Sequence, residues 1–239
     1  MIPALIAFTL LIVIYQGVLL WTPYSAVLPS LSLLVSDYIE LLFDPSWISA
    51  LMNSIGHSVL MLLGLSLFSL VLVMIGIKVK WVSVGVKQIS EWMASTPTIA
   101  ILLLGLILFG LTQSVNIIVG FIVWPLVYER LHHALTSLTD DEQDVMRVFT
   151  PTWFEEWIKV RLARVKDELG SMTNIVFPTT LKILIMVEVL HSQSGGYGFL
   201  YQLARQSFQI ERLITLTIHL IVILKILKTL TSYYFHKST

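Results

Sequence analysis

Apolar residues run in long stretches along most of this 239-residue chain, and the charged positions gather between them. A bilayer core about 30 Å thick is crossed by roughly 20 helical residues, or about 17 where neighbouring helices shield the ends. Six stretches meet that test to differing degrees: Ile2–Trp21, Ser54–Ile77, Met172–Leu190 and Leu213–Leu230 clearly, Ser95–Leu111 and Val115–Val127 as a shorter pair. Only Thr112, Gln113 and Ser114 separate the short pair. That spacing reads either as a tight hairpin of two helices or as one long broken helix. Pro97, Pro125 and Pro178 mark kinks or helix starts. The first stretch has no Lys or Arg near it, exceeds a signal-peptide core in length and lacks a small-residue cleavage site, so a retained transmembrane helix is expected. The predicted fold is an all-α integral membrane domain of about six transmembrane helices over residues 1–239.

One segment breaks the apolar pattern. Residues 136–170 are charged and carry helix punctuation of a water-facing kind. Thr139-Asp140-Asp141-Glu142 reads as a capping box that opens a short helix, with Val145, Met146, Val148 and Phe149 gathered on one face and Pro151 blocking continuation. Thr152-Trp153-Phe154-Glu155 repeats the pattern and opens a second amphipathic helix that ends near Gly170. Its apolar side is Trp153, Phe154, Trp157, Ile158, Leu162, Val165 and Leu169. Either helix also fits a position flat on the membrane interface.

Composition agrees with the span count: 56% of residues are hydrophobic, 13% are charged and the mean hydropathy is +0.84, too apolar for a water-soluble surface. The formal net charge is zero, but the basic residues are segregated. Lys78, Lys80, Lys87, Arg130, Arg147, Lys159, Arg161, Arg164, Lys166, Lys225, Lys228 and Lys237 fall on one side of the spans; the other side has Asp37, Glu40 and Asp44 and only Arg205 and Arg212. The positive-inside rule then puts both termini and the 136–170 insert in the cytoplasm. Lys182, inside a span, is the one basic residue assigned to neither side, and it lies six residues before Glu188 near the external end of the same stretch. Both are pathway candidates, because an ionisable group at membrane depth faces protein or an aqueous cavity.

No catalytic chemistry is legible. There is no Cys, hence no thiol nucleophile and no disulfide. His57, His132, His133, His191 and His219 show no metal-ligand spacing, and no Gly-Lys-Ser/Thr phosphate loop occurs. No metal or cofactor is expected in this chain, and no nucleic-acid partner. Gly195, Gly196 and Gly198, within Ser192 to Gly198, read as an external turn rather than a phosphate nest, since no Lys follows. A secondary transporter or channel driven by an ion gradient would place carboxylates in several spans, whereas Glu188 is nearly alone.

Several pieces, in order, resemble the permease subunits of binding-protein-dependent ABC importers of the nitrate, sulfonate and taurine-type group. They are Leu28-Pro29-Ser30, the entry Ser54 to Leu60, Ser95-Thr96-Pro97-Thr98-Ile99-Ala100 followed by Leu102 to Gly110, and Val187-Glu188-Val189-Leu190 before Gly195-Gly196-Tyr197-Gly198-Phe199-Leu200. The family's cytoplasmic Glu-Ala-Ala-x-x-x-Gly segment falls on Asp144, Val145, Met146, Arg147, Val148, Phe149 and Thr150; Thr150 stands in place of the glycine, and Ala163 where the family has a proline. The resemblance implies a type I importer permease in a prokaryotic cytoplasmic (inner) membrane. It also implies a second permease subunit, identical or different, cytosolic ATPase subunits that carry ATP and Mg, and an external solute-binding protein. In that setting Asp144 to Thr150 would be the ATPase-coupling segment.

Overall fold

The computed structural model describes residues 13–18, 21, 28–137, 139, 144, 148, 152, 155–191 and 195–236, and every described element is helical. Helix α1 is Leu31–Phe43, α2 Ser46–Lys78, α3 Lys80–Ser95, α4 Thr98–Thr136, α5 Leu162–Ser171, α6 Phe177–His191, α7 Tyr197–Gln206 and α8 Ile210–His236. π-helical segments Glu156–Arg161 and Met172–Val176 precede α5 and α6.

Among the described residues, four helices are long and apolar enough to cross a membrane: Ser46–Lys78, Ser114–Thr136, Met172–Leu190 and Ile210–Leu230. A fifth crossing exists if Lys80–Ser95 and Thr98–Gly110, which meet at 97°, count as one broken span. The expected count of six is therefore reached only with Ile2–Trp21, most of which lies outside the described residues.

The two readings of the short pair separate on one contact. Gly105 lies so close to Ile118 that an added Cβ would stand 2.3 Å from Ile118 Cγ1. Thirteen residues of straight helix would put these positions about 20 Å apart, so α4 folds back on itself. The reversal is at Gly110, with φ 70° and ψ −178°, a conformation available to glycine at little cost. The hairpin has a short first arm and a second arm that runs to Thr136, beyond the expected end at Val127. Pro97 occupies the cap position of α4, while Pro125 lies inside the second arm.

The α-helical stretch ends at Ser171, beside the expected Gly170, but the chain does not turn there. The chain stays helical from Glu155 to His191, passing from the insert into the next span without a turn. Gly170 has no left-handed φ; the π segment Met172–Val176 immediately precedes Pro178, whose missing N–H removes one bond from an otherwise continuous helix.

The second arm of α4 is the central element. Val115, Ile118, Val119, Val123, Val127 and Leu131 are buried against Leu184 and Val187 of α6, with Met61 and Leu65 of α2 packed on them. A second core joins Leu41, Leu51, Leu181, Ile185, Tyr197 and Leu216 from α1, α2, α6, α7 and α8. A third, at the end of the bundle that carries the insert, holds Val73, Trp124, Tyr128, Leu135 and Trp157.

Candidate functional site

Glu188 and the glycine turn, read separately in the sequence, form one buried cluster. Helix α7 begins after Gly196, which has no side chain to satisfy the free N–H groups of the first turn. Other elements supply the caps. Tyr197 N–H donates to Ser54 Oγ of α2 at 2.8 Å, and Gly198 N–H donates to Glu188 Oε2 of α6 at 2.9 Å. The Ser54 hydroxyl in turn donates to Glu188, lying 3.0 and 2.9 Å from its two oxygens. Glu188 is only 3% exposed, and a carboxylate at a helix N-terminus also meets the positive end of the helix dipole. Asn53 Nδ2 donates to Gly195 O at 2.8 Å and fixes the other side of the turn.

The glycines follow from this packing. A Cβ at Gly196 would sit 2.4 Å from Glu188 Cδ, and one at Gly198 would sit 2.4 Å from Glu188 Cβ and 2.6 Å from Ile185 O. Gly195 has φ +106°, in the left-handed region that favours glycine. Tyr197 extends the cluster to α8: its hydroxyl lies 3.2 Å from Leu216 O and 3.1 Å from His219 Nδ1. Trp47 of α2 packs edge-on against the His219 ring, with centroids 4.3 Å apart. Nearby, Arg212 of α8 pairs with Asp37 and Glu40 of α1, each at 3.3 Å.

Lys182 stands apart. Six residues from Glu188, it lies about 9 Å lower along the helix axis. It belongs to an exposed stripe, Ile175, Lys182, Met186 and Leu190, while Leu181, Leu184, Ile185, Val187 and Glu188 of the same span are buried. Among the described residues it pairs with no carboxylate.

At the opposite end, the insert is fastened to the last turn of α4. The second capping box forms as expected, with Thr152 N–H and Oγ1 donating to Glu155 Oε2 at 3.0 and 2.8 Å. Arg161 donates through Nε to Glu156 Oε1 at 2.7 Å and through Nη1 to the Leu135 carbonyl, while Arg164 donates to the carbonyls of Ser137 and Ala134. These are terminal carbonyls of a helix, which lack intrahelical donors and attract cations. Trp157 is buried beneath, with the Arg161 guanidinium 5.7 Å from its ring. Of the coupling candidates, Asp144 and Val148 are helical and exposed; Val145, Met146, Arg147, Phe149 and Thr150 lie outside the described residues, as do Asp140, Asp141 and Glu142 of the first capping box.

Sequence reasoning missed Ser54 as the partner of Glu188 and both arginines as helix caps. A hydroxyl at the start of an apolar run was the available signal for Ser54. Among the described residues no group of three His, Asp or Glu side chains is placed to hold a metal ion.

No family model and no curated protein matches the sequence. Among solved structures, a chain in the crystal structure of an amino acid ABC transporter with histidines superposes with a TM-score of 0.67, covering 84% of this chain and 98% of that one at 17% identity. The fold is one seen in an ABC transporter. The likeness does not narrow the chain to the nitrate, sulfonate and taurine-type group; the solved neighbour is described as an amino acid transporter.

Proposed function

We propose that this chain is the membrane-spanning subunit of an ABC importer, which forms the solute pathway with a second permease subunit and is driven by ATP hydrolysis in a separate cytosolic partner. The observation that carries the reading is the 84% coverage of this chain by the ABC transporter fold, together with the helix that runs unbroken from Glu155 of the charged insert to His191 of a span. In this reading the 136–170 insert faces the cytosol and Asp144 to Thr150 dock in the ATPase. Closure of the ATPase dimer moves the helix from Glu155 to His191, and alternating access follows. The 195–198 turn faces outside, where a solute-binding protein delivers its cargo. Lys182 lines the pathway, since its stripe is an exposed face of the span and an ammonium is costly in hydrocarbon.

Co-purification tests the reading. Phe149→Asp is expected to strip the ATPase from the complex while the membrane body still accumulates, because a buried Phe contributes about 1.5–3 kcal/mol to such a contact. A Phe149→Asp protein that keeps the ATPase and coupled uptake would leave the insert with no coupling role. Lys182→Leu is expected to keep the ATPase and lose uptake; unchanged uptake over the candidate solutes would remove Lys182 from the pathway.

A further inference from the structure

A groove of about 400 Å³ runs between α2 and the second arm of α4, lined by His57, Leu60, Met61, Gly64, Leu65 and Asn116. We propose that it seats one acyl chain of a membrane phospholipid, with His57 and Asn116 hydrogen-bonding the oxygens at the head of that lipid. The proposal needs only the membrane location of the chain and is independent of the ATPase and of any solute.

The polarity of the groove is one-ended. His57 Nε2 and Asn116 Oδ1 lie 2.6 Å apart, and the other lining residues are apolar or glycine, with no charged group among them. After that bond, the imidazole and the amide each keep a further hydrogen-bonding position. Both residues sit near the same end of their spans: His57 is one turn beyond Ser54, which holds the 195–198 turn, and Asn116 is the third residue of Ser114–Thr136. Headgroup and ester oxygens lie at that depth, while Leu60, Gly64 and Leu65 continue toward the hydrocarbon centre.

The surroundings favour a lipid over a water-soluble solute. Helix α2 is the least buried of the described spans, and its exposed residues include the groove's Leu60 as well as Leu63, Leu67 and Phe68, side chains suited to hydrocarbon. A polar solute in the groove would give up water and meet only two polar side chains, whereas an acyl chain gives up nothing. A glycine keeps the space open: a Cβ at Gly64 would meet nothing within 4 Å.

The open space at Gly64 supplies a test that leaves the fold intact. The full chain, purified in mild detergent with palmitoyl-oleoyl phosphatidylethanolamine, is examined by native mass spectrometry. Wild type is expected to retain bound lipid, and Gly64→Leu, which fills the groove, to retain about tenfold less, the effect of roughly 1.4 kcal/mol. His57→Ala combined with Asn116→Ala removes only the polar end and is expected to weaken retention as well; it decides the matter if Gly64→Leu does not fold. The proposal is overturned if wild type holds no lipid, or if the folded variants hold as much as wild type. A Gly64→Leu protein that blocks uptake with unchanged lipid retention would overturn it too, and assign the groove to solute.

Discussion

Glu188→Ala is expected to destabilise the bundle by about 3 kcal/mol, because it leaves two buried donors, the Ser54 hydroxyl and the Gly198 N–H, without their acceptor at roughly 1–3 kcal/mol each. Thermal unfolding of the detergent-purified chain measures the loss. Glu188→Gln should fall between, since its amide oxygen can still accept from one of the two donors. Geometry adds a sharper expectation. Gly196→Ala would press a methyl against the Glu188 carboxyl carbon and is expected to destabilise wild type strongly, yet to cost little in a Glu188→Ala background, where that atom is gone. Gly198→Ala should receive no such rescue, because its methyl would also meet Ile185 O at 2.6 Å and Val189 N at 2.9 Å. If the cost of Gly196→Ala is the same in both backgrounds, the carboxylate is not what packs against the turn.

Arg161→Ala is expected to uncouple transport without dissociating the ATPase. It removes a guanidinium that joins Glu156 to the Leu135 carbonyl over Trp157, and breaking a pair this buried costs about 3–5 kcal/mol. The start of the return helix would then no longer be held to the last turn of α4. Under the proposed function, force applied at the insert would be lost before it reached the span. Solute-stimulated ATP hydrolysis and uptake should drop at least tenfold while the ATPase still co-purifies. Arg161→Lys should recover little, since an ammonium cannot reproduce the planar fork that reaches both acceptors. Full coupled uptake in Arg161→Ala would show that this attachment carries no motion.

Much of the architecture was determined by the sequence alone, for reasons that act over short distances. Hydrocarbon demands an internally bonded backbone, so an apolar run long enough to cross must be a helix, and Ser54–Ile77, Met172–Leu190 and Leu213–Leu230 appear as such. The box at Thr152 closes within four residues and therefore needed no tertiary information. A turn was legible in the glycines at 195 and 196, whereas Gly198 proves to lie in the first turn of α7.

What only the tertiary structure decided depends on residues far apart in the chain. The choice between hairpin and broken helix rested on Gly105 meeting Ile118, and only the fold shows that α5, ending at Ser171, runs on through a π segment into the next span without a turn. The role of Glu188 was legible only as an ionisable group in a span, because its hydroxyl partner lies 134 residues away on α2 and its N–H partner belongs to a helix start that cannot cap itself. Arg161 and Arg164 looked like ordinary cytosolic charge for the same reason: a carbonyl at the end of α4 is the same group in every sequence. Side-chain patterns reveal where a helix runs, but an unsatisfied backbone group at its end carries no residue identity, so its partner is known only once the chain is folded.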